Sequence, residues 1–290
     1  MPKNWTSAAG LRATGRRVVQ RATSARRALP DFLVLGAQKA GTTSLGQFLQ
    51  LHPDVFWSPR LEMHFFDRDY DRGLSWYRSW FERRSVVEAH QRRTGRPARV
   101  GEKTPCYLAL PDGPSRVAAT LPGAKLVVSL RDPVTRAYSQ WAMNLRTGRE
   151  TLSFADALEA EAERLAAVDL RASVSGTSYL THGYAMRSRY AEQLERWLAH
   201  FDRSQLYVYR CEDLYDDPQR WIPPLLDHVG VRPDVVDLAM PHIGVGDRDP
   251  IDPHLRDQLV ERFEAADAQL QALTGLSYYQ DRDPVAPPRG

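Results

Sequence analysis

The sequence predicts a single three-layer α/β domain around a central parallel sheet. Three observations carry that prediction. Short apolar runs that read as strands alternate with segments of helical periodicity. The first run closes on a glycine turn that opens a helix, the start of a βαβ unit. No internal repeat or long linker divides the 290 residues, and 42% apolar content supplies a core.

The elements follow in order. "DFLVLG", 31–36, reads as a buried strand, and Thr42–Leu51 as a helix with Leu45, Phe48 and Leu49 on one face. Residues 52–67 read as loop with a short apolar segment around Val55–Trp57. Residues 70–81 read as a turn and an aromatic helix, and the arginine-rich 82–99 as a surface connection. A short strand ends near Glu102. "KLVVSL", 125–130, is the clearest second parallel strand, and Pro133 suits the first turn of a helix reaching Gly148. Helices are predicted over Leu152–Val168, Gly183–His200, 218–230 and from Asp252 onward, with a strand in 204–214. The domain is expected over 31–282, between a basic arm, 1–30, and a short tail, 283–290.

The net charge of +3 is unevenly spread. Residues 1–30 carry Lys3, Arg12, Arg16, Arg17, Arg21, Arg26 and Arg27 and no acid, so the body is slightly acidic. That excludes a basic nucleic-acid-binding body. The arm is either a solvated extension or a segment touching anionic lipid or nucleic acid. It lacks the apolar core of a signal peptide, and no run of ~18 apolar residues occurs. The expected compartment is the cytoplasm. Cys106 and Cys211 make neither a disulfide framework nor a metal cluster.

The informative stretch is "GAQKAGTTS". Gly36 and Gly41 have the spacing of a phosphate-binding loop, but the lysine sits inside it as Lys39, and Thr42 holds the expected lysine position. Backbone amides at such a loop, with hydroxyls of Thr42, Thr43 and Ser44, form an anion site. The alternative is a plain glycine-containing turn. A nucleoside triphosphatase needs lysine after the second glycine and an acid ending a later strand. Here the best later strand ends in Arg131-Asp132, which suits a second anion better than a metal. Lysine is rare in this chain: the 39 basic residues include only Lys3, Lys39, Lys103 and Lys125. A lysine here invites a reason, since it is a compact charge that fits a tight loop. Lys125 has none.

At this point the chain resembles the sulfotransferases that use 3′-phosphoadenosine 5′-phosphosulfate (PAPS), of the heparan sulfate 3-O- and N-sulfotransferase type. Four blocks carry the resemblance in the expected order: "GAQKAGTTSL", "LHPDVFWSPRLEMHFFD", "EKTPCYL" and "LRDPVTRAYSQW". It implies that Lys39, Ala40, Gly41, Thr42, Thr43 and Ser44 hold the 5′-phosphosulfate. It implies that Arg131, with Ser139 eight residues on, takes the 3′-phosphate. Glu62 is then the general base, Lys39 and Lys103 are catalytic cations, and His64, Phe65, Asp67 and Thr104 lie at the acceptor. His64 is also open as a second base, and Glu102 as a residue that orients the lysines or binds substrate. Trp76, Tyr77, Trp80 and Phe81 form either a stacking platform for the acceptor or core packing.

The implied donor is PAPS, the product adenosine 3′,5′-bisphosphate (PAP), and no metal is required. The implied acceptor is a hydroxyl of a glycan, glycolipid or small molecule. One departure stands out. Relatives often carry a late Lys-Gly-Arg loop over the cofactor, where this chain reads "PHIGVGDRDPIDP"; Arg248 is the candidate substitute. Two other readings stay open, a variant P-loop kinase and a non-catalytic PAP-binding protein.

Overall fold

The apolar runs read from the sequence become neighbours in one sheet. The computed structural model describes residues 23–169, 174, 176–241 and 250–280. Strands β1 (Phe32–Gly36), β2 (Val55–Trp57), β3 (Arg99–Lys103), β4 (Lys125–Leu130) and β5 (Leu206–Arg210) lie in the order β2-β3-β1-β4-β5. Every pairing is parallel. β1 therefore sits between β3 and β4, and the chain leaves it toward both sides. That is the switch point at which parallel sheets open a crevice beyond their carboxyl ends.

The period-two pattern of the strands divides the core into two layers. Leu33, Leu35, Leu126, Val128 and Val208 face one side and join Phe65, Tyr77, Tyr107, Leu194 and Trp197. Phe32, Val34, Val127, Tyr207 and Tyr209 face the other and join Leu45, Phe48, Leu49, Trp221, Ile222 and Leu225. The three-layer expectation holds.

The helices follow mainly where periodicity placed them. They are α1 (Thr42–Leu51), α2 (Gly73–Arg78), α3 (Arg84–Thr94), α4 (Gly113–Thr120), α5 (Pro133–Arg146), α6 (Phe154–Glu159), α7 (Glu161–Ala166), α8 (Ser178–His182), α9 (Tyr190–Leu198), α10 (Cys211–Asp216), α11 (Pro218–Val229) and α12 (Pro253–Thr274). Asp132 caps α5, accepting from Thr135 N, and Asp252 caps α12, accepting from Leu255 N.

Four expectations change. Val55–Trp57, read as an apolar piece of loop, is an edge strand paired with β3 alone. The supposed connection 82–99 contains α3, of which only Val87 is buried, so its helix has almost no apolar stripe to read. Leu152–Val168 breaks at Ala160, beside the point where Glu161 turns inward to accept from Ala185 N and Met186 N. Gly183–His200 begins instead with a 3₁₀ turn, Met186–Ser188, before α9.

The packed body also reaches back before residue 31. Ser24–Arg26 is a 3₁₀ turn, and the buried Arg27 donates to Phe81 O at 2.6 Å. The rest of the arm and residues 281–290 lie outside the described residues. No helix among the described residues is long and apolar enough to cross a membrane.

Candidate active site

β1 delivers the glycine loop to the switch point, and β4 holds it from behind. Ala37 N donates to Ser129 O at 2.6 Å, Ser129 Oγ to Ala40 O at 2.6 Å, and Arg131 Nη1 to Lys39 O at 3.2 Å. These bonds fix the loop's carbonyls toward β4. Gly41 caps α1 in a left-handed backbone, φ 72°, and a side chain there would meet the Tyr215 hydroxyl at 3.0 Å. Lys39 is itself left-handed, φ 77°, a strained conformation for a residue with a side chain. The loop is thus a preset cradle at a helix head, where the first amides have no partner within the helix.

Arg131 ends β4 beside this loop. Its carbonyl accepts from Tyr190 Oη at 2.8 Å. Asp132 does not pair with it: that carboxylate caps α5 and lies 3.5 Å from Arg256 Nη1. Ser139 lies on the buried face of α5, and its hydroxyl has no hydrogen-bond partner among the described residues. One turn further on, Met143 Sδ lies 3.8 Å from Lys39 Nζ, so the loop lysine reaches the same helix face.

β3 delivers the second half. Neighbouring strand residues face opposite ways. Lys103 turns toward α1, where its stem passes Gly46; a Cβ on Gly46 would sit 3.2 Å from Lys103 Cδ. Its ammonium, almost wholly buried, lies 3.3 Å from Glu62 Oε1. Glu62 Oε2 lies 3.2 Å from His64 Nε2, and His64 Nδ1 lies 2.8 Å from Asp67 Oδ2. Cys106 Sγ donates to the same Asp67 oxygen at 3.2 Å.

This chain of acids and bases sets its own charges. Burial pushes the Glu62 carboxyl up, but His64 and Lys103 outweigh it and hold it below the usual carboxylate range. Burial pulls His64 down, yet its two carboxylate partners push it up to about 9. That shift favours the imidazolium, with one ring nitrogen facing each carboxylate. Burial raises Asp67, but His64 first, then Cys106 and Arg68, brings it below its ordinary value. Burial pushes the Cys106 thiol well above its usual range. His64, Asp67 and Cys106 have metal-ligand atoms within 4.8 Å of one another, a grouping not foreseen from the sequence.

The structure brings together Lys39, Gly41, Thr42, Thr43, Ser44 and Arg131 on one side and Glu62, His64 and Lys103 on the other. Phe65 and Thr104, expected at the acceptor, are buried. Phe65 stacks on Tyr77 with centroids 4.2 Å apart, while Thr104 Oγ1 accepts from Met63 N and His64 N. The Asp67 side chain, also expected at the acceptor, is fully covered, and it accepts from His64 and Cys106. Ser44 is buried and bonds Tyr215. Ala40 contributes backbone, its carbonyl held by Ser129.

Glu102 faces away from Lys103, into the aromatic layer, where it accepts from Tyr77 Oη at 2.8 Å. It does not orient the lysines. Tyr77 and Phe81 are core, and the faces of Trp76 and Trp80 are covered by Arg60 and Arg72. Arg248 lies outside the described residues. Sequence reading missed Gly46 and Tyr215. A glycine in mid-helix was the available signal for the first, since it costs helix stability without a packing reason.

A glycine cradle at the switch point of a parallel sheet, faced by a carboxylate–lysine pair, defines an anion-binding α/β transferase site. The chain belongs to the sulfotransferase domain family, whose model it matches over residues 29–244. It is similar to human heparan sulfate glucosamine 3-O-sulfotransferase 3B1, with 33% identity over 214 residues, 74% of this chain and 49% of that protein. It is 37% identical to human heparan sulfate glucosamine 3-O-sulfotransferase 6 over 73% of this chain and 55% of that protein. The chain thus spans about half the length of these relatives. The crystal structure of a sulfotransferase from Alicyclobacillus acidocaldarius superposes with a TM-score of 0.66 and 30% identity, covering 87% of this chain and 98% of that one.

Proposed function

We propose that this domain transfers a sulfuryl group from PAPS to a hydroxyl of a carbohydrate, glycolipid or small-molecule acceptor, releasing PAP. One observation carries the reading. Lys103 crosses Gly46 of the helix that heads the glycine loop, and its ammonium meets Glu62 at 3.3 Å. A proton acceptor and a fixed cation therefore meet beside the anion cradle. The carbohydrate preference is supported by relatives named for glucosamine residues of heparan sulfate.

The donor supplies an activated sulfuryl group, and the residues fit its two charged ends. The amides from Gly41 to Ser44 and the Lys39 ammonium receive the 5′ end. Arg131 and the unpartnered Ser139 hydroxyl suit the 3′-phosphate. Glu62, ionised at neutral pH, takes the acceptor's proton as its oxygen bonds to sulfur and the bond from sulfur to the phosphate oxygen breaks. Lys39 and Lys103 offset the charge that develops on that leaving oxygen. No divalent ion enters this reading, because β4 ends in a cation where a triphosphatase places an acid.

The test is transfer of radiolabelled sulfate from PAPS to a panel of sugars, glycolipids and phenols, with and without EDTA. Labelled product insensitive to EDTA is expected. Magnesium-dependent phosphate transfer from ATP, or calorimetry showing ATP preferred over PAP, would overturn it. Contact of the basic arm with anionic lipid belongs to the same proposal; it predicts salt-sensitive liposome binding that disappears when residues 1–22 are removed.

A further inference from the structure

The loop is held from a second direction by a residue no motif marks. Arg187 is buried, 3% exposed, in the 3₁₀ turn Met186–Ser188. Its Nη1 donates to Gln38 Oε1, inside the glycine loop, at 2.8 Å and to Leu180 O at 2.6 Å. Its Nε has no partner, and no carboxylate pairs with it among the described residues. A buried guanidinium bonded only to neutral oxygens costs several kcal/mol in desolvation unless an anion compensates it.

The turn carrying Arg187 is rigidly mounted. Glu161 accepts from Ala185 N and Met186 N, the fully buried Arg136 donates to Ser188 Oγ at 2.7 Å, and Gln193 Nε2 donates to Arg187 O at 3.0 Å. Arg136 likewise bonds neutral oxygens, of Ser188, Gln140 and Tyr184, and lies within electrostatic reach of both Arg187 and Arg131. Arg136 thus feels like charge from Arg187 and from Arg131, offset in part by Glu161.

We propose that Arg187 is a positioning residue for the donor: through the Gln38 carboxamide it fixes the loop in its anion-receiving form, and the bound phosphosulfate is its missing counter-charge. The inference rests on the sulfuryl-transfer reading and adds to it a cation outside the four sequence blocks. Arg131 holds the loop at the Lys39 carbonyl and Arg187 holds it at the Gln38 side chain.

The test is PAP calorimetry and PAPS kinetics on the full chain and on Arg187→Met, Gln38→Leu and Gln38→Glu. Arg187→Met and Gln38→Leu are expected to weaken PAP binding and raise KM for PAPS at least about tenfold, with acceptor KM changed less than about threefold. Gln38→Glu gives Arg187 a carboxylate, so its Tm should hold or rise while PAP affinity falls further than in Gln38→Leu. A purely structural role does not separate stability from donor affinity in this way. Wild-type PAP affinity in Gln38→Leu or in folded Arg187→Met overturns the inference; if Arg187→Met does not fold, the half-buried Gln38 decides. Wild-type protein that binds no PAP overturns the underlying functional reading instead.

Discussion

The two halves of the site handle charge in opposite ways. Around Glu62, every cation has an anion: Lys103 and His64 meet Glu62, His64 meets Asp67, and Cys106 closes on Asp67. Around the glycine loop, two arginines donate to neutral oxygens: Arg131 to Lys39 O and Arg187 to Gln38 Oε1. The Ser139 hydroxyl is unpartnered among the described residues. The first half carries its own counter-charges and is ready to move a proton. In the second, Arg131 and Arg136 have acids within electrostatic reach, Glu212 and Glu161, but their guanidinium hydrogen bonds go to neutral oxygens. A buried network is stable when complete, and the proposed function assigns proton transfer to the complete half and donor binding to the incomplete one.

That contrast is open to direct attack. The largest effect is expected from Glu62→Gln, which keeps the shape and the bond to His64 but cannot take a proton. Turnover should fall by roughly 10²–10⁴, while calorimetric PAP affinity stays within about threefold. A parallel loss of PAP affinity would show that the halves are not separable. Lys39→Met attacks the other half. Loss of a fixed cation at a developing anion costs about 10²–10³ in turnover, and here PAP affinity should fall with it. Unchanged PAP binding would remove the loop from the donor site.

A finer probe lies at the seam. Gly46→Ala in a helix would ordinarily stabilise by about 0.5–1 kcal/mol. At this position the new methyl lies 3.2 Å from Lys103 Cδ and must shift that side chain. Turnover is expected to fall about tenfold, with Tm unchanged or slightly raised. Wild-type turnover in that variant would mean the Lys103 stem gives way freely, and that its placement across α1 is incidental.

The seam also marks where the sequence stops being legible. The loop half could be read because its residues are contiguous: a loop and a helix head lie within "GAQKAGTTS", and Arg131 ends a strand with an unmistakable apolar run. Around Glu62 the residues could be named but not their depth. His64 adopts a left-handed backbone, φ 54°, and the five residues after it, Phe65–Asp69, form a π-helical turn. The period-two and 3.6-residue rules therefore give no guide to which of Phe65 and Asp67 face solvent. α3 escaped notice because its face toward the body offers Val87 and little else, and β2 because three residues carry no period. Arg187 could not have been singled out among so many arginines, since only the fold brings it to Gln38.

The smallest effect on turnover is expected from Glu102, and it sharpens the comparison from below. This carboxyl is buried in the aromatic layer, bonded to Tyr77 by one oxygen and, among the described residues, to no hydrogen-bond partner by the other. Burial is the main cause that pushes it up to about 8; the Tyr77 hydrogen bond opposes the shift and the nearby Asp67 charge adds to it. The unfolded chain releases this proton near 4.5, the folded one only near 8. Between those values the folded state binds more protons, so Glu102 makes stability decline as pH rises. Glu102→Gln imitates the protonated acid, keeps an acceptor for Tyr77 and has no proton to lose. It should leave turnover within about threefold and raise Tm at pH 8.5 by several degrees, corresponding to one to a few kcal/mol, with little change at pH 5. Equal Tm shifts at both pH values would show that the acid is already ionised in the folded protein. The fully balanced charges above it would then have to include one more anion.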